Sequence, residues 1–225
     1  MAYYRNDKNI GLALEQYGEH DWIDLEVTAK YATGLVIDAG ANIGTHSLVY
    51  AKTATRVLAF EPQFFVYKLL VMNTVFNQAD NVTPLWAALG AENGMVHIPS
   101  FSPDSDQFFG SANVGEGDDI VQQHTIDSLN LTRVSFMKVD VECAMLNVLA
   151  GARATILRDH PVLYVENNFG EQVNEVLTGW LREWGYRWEE IIVPAYPQDN
   201  YLNNPIDIYV PGTLNKNLLC FPKEQ

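Results

Sequence analysis

"LVIDAGANIGTHSLV", residues 35–49, reads as a buried strand, a glycine turn and the start of a helix. Gly40 lets the chain turn tightly after the strand, and Gly44 lets the next helix pack close to the sheet. Ligands of open α/β sheets bind at the carboxyl ends of the strands, near the switch in strand order. Dinucleotide sites of this kind carry three glycines, so that pyrophosphate can approach the backbone at the helix N-terminus. Here Asp38 takes the first place and Asn42 crowds the middle. A pyrophosphate would meet a carboxylate, which disfavours NAD and an oxidoreductase.

Outward from this turn, short apolar runs alternate with helical patterns. The runs lie at 35–40, 56–62, 82–88, 134–140 and 161–167, with helix candidates at 43–53, 63–78, 144–158 and 171–184. Strands flanked by helices of this length predict a parallel sheet covered on both faces, an α-β-α sandwich of Rossmann-like type. The last two runs, "YRWEEIIVP" (186–194) and "PIDIYVPG" (205–212), have no helix between them and predict an antiparallel pair at the sheet edge. Residues 1–33 form an N-terminal helical extension packing on a single domain of residues 34–225. The stretch 99–119 is rich in Ser, Gly and Asp but carries Phe101, Phe108 and Phe109, which suits a lid or binding segment.

Composition is that of an ordinary globule, 48% hydrophobic and 19% charged in 225 residues. Its 28 acidic against 14 basic residues give a formal charge of −14, a field that repels DNA and RNA. No run approaches the ~20 apolar residues of a membrane span, and no secretory signal is visible, so a cytoplasmic setting is expected. Two cysteines, Cys143 and Cys220, are too few for a disulfide framework or a cysteine zinc site.

A ligand with a positive end suits Asp38 better than a phosphate does. S-adenosylmethionine has an ammonium, a sulfonium and a neutral adenosine. Asp38 can hydrogen-bond the ammonium, directly or through water. Glu61, at the end of "RVLAFEP" and 23 residues beyond Asp38, can accept from both ribose hydroxyls.

These residues resemble the FkbM-type methyltransferases, a family of class I S-adenosylmethionine-dependent enzymes. The matching pieces are "VIDAGANIGTHSLVYAK" (36–52), "VLAFEPQ" (57–63), "HTIDSL" (124–129), "MKVDVECAMLNVLAGARATI" (137–156) and "PVLYVEN" (161–167). The resemblance implies a seven-stranded sheet of order 3-2-1-4-5-7-6 with strand 7 antiparallel. It also implies O-methylation of a sugar, glycan or secondary-metabolite hydroxyl. By the same resemblance Asp38, Gly40, Asn42, Gly44 and Glu61 hold the cofactor, with Ala87 and Ala88 near adenine. The family's glycine after "DVE" is Cys143 here, which suggests a changed turn or a cysteine facing the cleft.

Methylating a hydroxyl requires alignment of the oxygen with the methyl group and removal of its proton. Asp140 is the first choice for that role and Glu142 the second, both beyond strand four; His124 and His46 are further candidates. Glu166 on the neighbouring strand, with Tyr196 and Tyr201 in the loop joining the last two strands, is assigned to the acceptor. Three carboxylates here could instead take Mg²⁺, or cap helices and pair with Lys138 or Arg153. N-methylation of an amine and a non-catalytic cofactor-binding protein are the competing readings. The acceptor is a small molecule or glycan, and the oligomeric state is open, a homodimer being one form.

Overall fold

The structure, a computed structural model, describes every residue except 103, 105, 107, 111, 113, 169, 224 and 225. Its centre is a seven-stranded sheet. Five strands run parallel: β1 (Gly34–Ala39), β2 (Ala54–Phe60), β3 (Val82–Leu85), β7 (Val134–Val139) and β8 (Val162–Glu166). Two more close the edge: β9 (Tyr186–Pro194) and β10 (Leu214–Pro222), with β10 antiparallel to both β8 and β9. The spatial order is β3-β2-β1-β7-β8-β10-β9. Numbered within this sheet alone, that is 3-2-1-4-5-7-6 with the seventh strand antiparallel.

The central strands are apolar without alternation because both faces are covered. On one face α5 (Met145–Ala150), α6 (Arg153–Asp159) and α7 (Glu171–Glu183) bury Val148, Leu149, Ile156, Leu177 and Leu181 against Met137 and Leu163. On the other, α3 (Thr45–Tyr50) and α4 (Phe64–Phe76) bring Tyr50 and Leu70 onto Val36, Val57 and Phe136. Two further helices, α1 (Ile10–Tyr17) and α2 (Trp22–Ala29), precede the sheet, and Gly18 ends α1 in the left-handed conformation. Trp180 and Trp184 stack on one face of α7, with ring centroids 5.5 Å apart. Among the described residues no helix is long and apolar enough to cross a membrane.

Three details differ from the sequence expectation. The run 144–158 is two helices, because the Asp127 carboxylate accepts from the amides of Ala154 and Thr155 (2.9 and 2.8 Å) and starts a second helix. The last strand is 214–222 and not 205–212. The latter segment has prolines at 205 and 211, and its backbone pairs with a side chain: Tyr17 Oη donates to Ile206 O and accepts from Ile208 N. Finally, the run 82–88 stops at Leu85, and a second sheet appears. It has the order β4-β6-β5, from β4 (Ala88–Leu89), β5 (Gly94–Ile98) and β6 (Asp119–His124). The aromatic stretch 99–118 is therefore the long connection of the β5–β6 hairpin.

Candidate active site

A cavity of about 300 Å³ runs along the carboxyl edge of the large sheet. Its walls come from the ends of β2, β1, β7 and β8, from the first two helices, and from the β5–β6 connection. The turn after β1 is its backbone cradle. Gly40 has φ 78°, and a Cβ there would overlap the Asp140 carbonyl. Asn42 follows at φ 49°, a left-handed position that asparagine tolerates. Gly44, at φ 95°, brings α3 down against Leu70.

Glu61 stands at the end of β2, buried and lining the cavity. Its carboxylate accepts from the amides of Asn42 (3.1 Å) and Gln63 (2.8 Å). Burial pushes its carboxyl up to about 7, against the downward pull of those two amides. Gln63 Nε2 donates to the Phe109 carbonyl (2.6 Å) and so ties the hairpin connection over this end. Phe109 is buried against Ile10, Ile43, Val66 and Leu69 and stacks on Tyr4. Ala87 and Ala88 are buried and line the same end.

Asp38 sits elsewhere. It is fully buried and is not among the cavity-lining residues. The strand register places Lys138 directly opposite it on β7. Lys138 Nζ lies 3.2 Å from Asp38 Oδ1 and 3.1 Å from Asp140 Oδ2, and donates to the Gly40 carbonyl (3.1 Å). Ser47 Oγ completes the pocket by donating to Asp38 Oδ2 (2.6 Å). Asp38 thus reaches the cavity through Lys138. Arg153, the other expected partner for these acids, pairs with Glu183 instead.

The far end of the cavity is acidic. Asp140, Glu142 and Glu166 line it from the carboxyl ends of β7 and β8, Glu19 and Asp21 from the turn between α1 and α2, and Asp24 from α2. Burial raises the Glu166 carboxyl, with the Asp140 charge adding to it, and Glu142 is raised for the same two reasons. His20 and Asp21 form a pair that sequence reasoning missed, with Nδ1 2.9 Å from Oδ2. Burial works to lower the imidazole's pKa, but the Asp21 carboxylate overrides it and the net movement is upward. Asp21 is correspondingly held down at about 2: burial opposes its ionisation and the His20 charge outweighs that. His46 also lines the cavity, and burial together with the Lys138 charge drives it down to about 4, a neutral ring.

Other expected residues lie away from the cavity. His124 ends β6 in the second sheet and is not among the lining residues. Tyr196 lies with its ring centroid 5.7 Å from that of Tyr17 and donates to the Asn204 carbonyl; Tyr201 is 78% exposed. From the same loop Ala195, Pro197 and Tyr209 line the cavity. Cys143 is exposed, also off the cavity, at φ 54°. The turn therefore keeps the conformation a glycine would adopt. Among the described residues no three His, Cys, Asp or Glu side chains gather to hold a metal ion, so the Mg²⁺ option finds no donor set.

A sheet of this order, with a glycine cradle at β1 and a carboxylate at the end of β2, defines the Rossmann-like methyltransferase class. The chain belongs to the FkbM methyltransferase domain family, which it matches over residues 38–188. The hexuronic acid methyltransferase AglP of Haloferax volcanii is 30% identical over 144 residues, covering 60% of this chain and 56% of that protein. The chain thus spans little more than half the length of this curated relative. The FkbM methyltransferase from Methylobacillus flagellatus KT superposes with a TM-score of 0.58 at 18% identity, over 84% of this chain and 44% of that one. A precorrin-6y C5,15-methyltransferase from Geobacter metallireducens GS-15 gives 0.55 at 13% identity, over 88% and 87%.

Proposed function

We propose that this protein is an S-adenosylmethionine-dependent methyltransferase acting on a hydroxyl of a sugar, glycan or secondary-metabolite acceptor. The observation that carries the reading is the cradle at Gly40 beside the buried Glu61 carboxylate. The residues fit the cofactor. Glu61 keeps lone pairs for ribose hydroxyls beyond the two amides it accepts, and Gln63 Oε1 is buried with no hydrogen-bond partner. Ala87 and Ala88 leave room for a flat base, and Asn42 and Gly44 shape the turn. Asp38 supports the site at one remove, by fixing Lys138 against the Gly40 carbonyl and Asp140.

When bound, the cofactor supplies an electrophilic methyl group on its sulfonium. Attack forms the oxygen–carbon bond as the sulfur–carbon bond breaks, and the hydroxyl proton must leave. We assign that proton to His20 Nε2, since Asp21 at Nδ1 orients the ring and stabilises its protonated form. Asp140, ion-paired with Lys138, and Glu142 are assigned to positioning the acceptor, with Glu166 behind them. The sugar-type acceptor is supported by the relative whose name specifies hexuronic acid.

The test is transfer of label from methyl-labelled S-adenosylmethionine into a panel of saccharides, polyketide alcohols and amines. Label in a hydroxyl of a saccharide supports the proposal, and label confined to amine nitrogens replaces it with N-methylation. No transfer, together with no calorimetric binding of S-adenosylhomocysteine, removes it.

A further inference from the structure

The acidic end of the cavity holds carboxyl groups without cationic partners, and burial pushes Asp24 up to about 7 and Glu166 up to about 8. Asp24 is 4% exposed and lines the cavity; its Oδ1 makes no well-formed hydrogen bond, and the Tyr164 hydroxyl is the neutral polar group that interacts with its carboxyl. Glu166 Oε2 is likewise buried without a well-formed hydrogen bond; Oε1 accepts from Asn168, and the carboxyl interacts with that of Asp140. The cationic side chains on the cavity wall are already committed. Lys138 is shared between Asp38 and Asp140, His20 lies against Asp21, and His46 is held neutral. Buried carboxyls without cationic partners ionise only at a cost, and a ligand that supplies positive charge there would let them release their protons.

One ammonium would come from the cofactor's amino-acid end, which the backbone turn at Gly40 would receive. Asp24 and Glu166 lie on different elements, α2 and β8, and remain for the acceptor. Around them Asn168, Asn215 and Asn217 offer amide groups suited to sugar hydroxyls. A uronate carboxylate in this chamber would meet like charge. A neutral sugar would leave both acids unanswered.

Building on the methyltransferase reading, we propose that the acceptor carries a protonated amino group, as an amino sugar does, and that Asp24 and Glu166 bind this ammonium while a hydroxyl is methylated. The amine is the recognition handle and not the nucleophile.

The experiment uses the full chain saturated with S-adenosylhomocysteine at pH 7, with glucosamine, N-acetylglucosamine, glucose and glucuronate compared by ligand-observed NMR titration. Glucosamine is expected to bind at least about tenfold more tightly than the other three. In D24N/E166Q that preference should disappear while affinity for S-adenosylhomocysteine stays within about twofold of wild type. Glucosamine binding no better than glucose, including no binding at all, overturns the inference, as does a preference that survives in the double variant. Failure of S-adenosylhomocysteine to bind would strike at the methyltransferase reading itself. Normal S-adenosylhomocysteine binding without amine preference strikes only at the acceptor.

Discussion

Lys138 and Asp38 face each other across the β1–β7 register, ammonium to carboxylate at 3.2 Å, with both side chains all but sealed from solvent. Removing one partner strands the other's charge in the core. K138M is expected to lose about 3–5 kcal/mol in urea unfolding. The double variant D38N/K138M should recover part of that loss, because no uncompensated charge remains. A K138M protein as stable as wild type would show that the pair carries no such weight.

Glu61 predicts a pH dependence for cofactor binding. Burial pushes its carboxyl up to about 7, and ribose hydroxyls donate more strongly to the ionised form. Binding therefore drives a proton off, and affinity for S-adenosylhomocysteine should fall as pH drops below 7, by up to about tenfold per pH unit. Calorimetry between about pH 5.5 and 8 reads the slope. E61Q should bind more weakly at pH 8 and show no slope.

For His20, the raised imidazole pKa means that the neutral, proton-accepting ring accumulates only above the ordinary range of about 6.5. With an acceptor found by label transfer, kcat/KM should rise with pH through one ionisation. H20Q should lower kcat by about 10²–10⁴-fold and flatten that limb. D21N, which removes the charge supporting the protonated ring, should shift the inflection to lower pH. An unchanged profile in both variants would return the base role to Asp140 or Glu142.

Phe109 anchors the hairpin connection, so F109A removes a ring with almost no exposure, at a cost of about 3–5 kcal/mol if the site cannot collapse. Much of that cost should appear as local opening. Amide exchange at Gly110 and Ala112 should accelerate, and S-adenosylhomocysteine should bind more weakly than to wild type.

Cys143 occupies a left-handed backbone position that costs a non-glycine residue about 1–2 kcal/mol. C143G gives back some of this as unfolded-chain entropy. A net gain of about 1 kcal/mol in unfolding free energy is expected, with cofactor affinity unchanged, because the side chain does not line the cavity.

The parallel core was legible because it rests on local signals, and its strand order because the motifs resemble those of the FkbM family. Apolar runs, the Gly40 turn and the spacing from Asp38 to Glu61 put both acids at strand ends. The second sheet was not legible, since β5 alternates half-exposed and exposed residues around a single buried Ile98 and resembles loop. The last strand was misplaced because "PIDIYVPG" alternates more cleanly than "LNKNLLCFP", and nothing local reveals that Tyr17, far away in sequence, claims its backbone. Lys138 stood in plain view in "MKVD", but its closeness to Asp38 exists only once β1 and β7 pair. His20, Asp21 and Asp24 carry no motif at all. They become a wall of the cavity through the packing of α1 and α2.

That wall lies outside the stretch the FkbM family shares with this chain, which begins at Asp38. Under the assignment proposed above, the acceptor chamber is therefore walled partly by residues ahead of that stretch, His20, Asp21 and Asp24, and partly by Asp140, Glu142 and Glu166 within it. On that proposal, exchanging residues 1–33 between relatives would rebuild one wall of the acceptor chamber and leave the Gly40 turn and Glu61 in place.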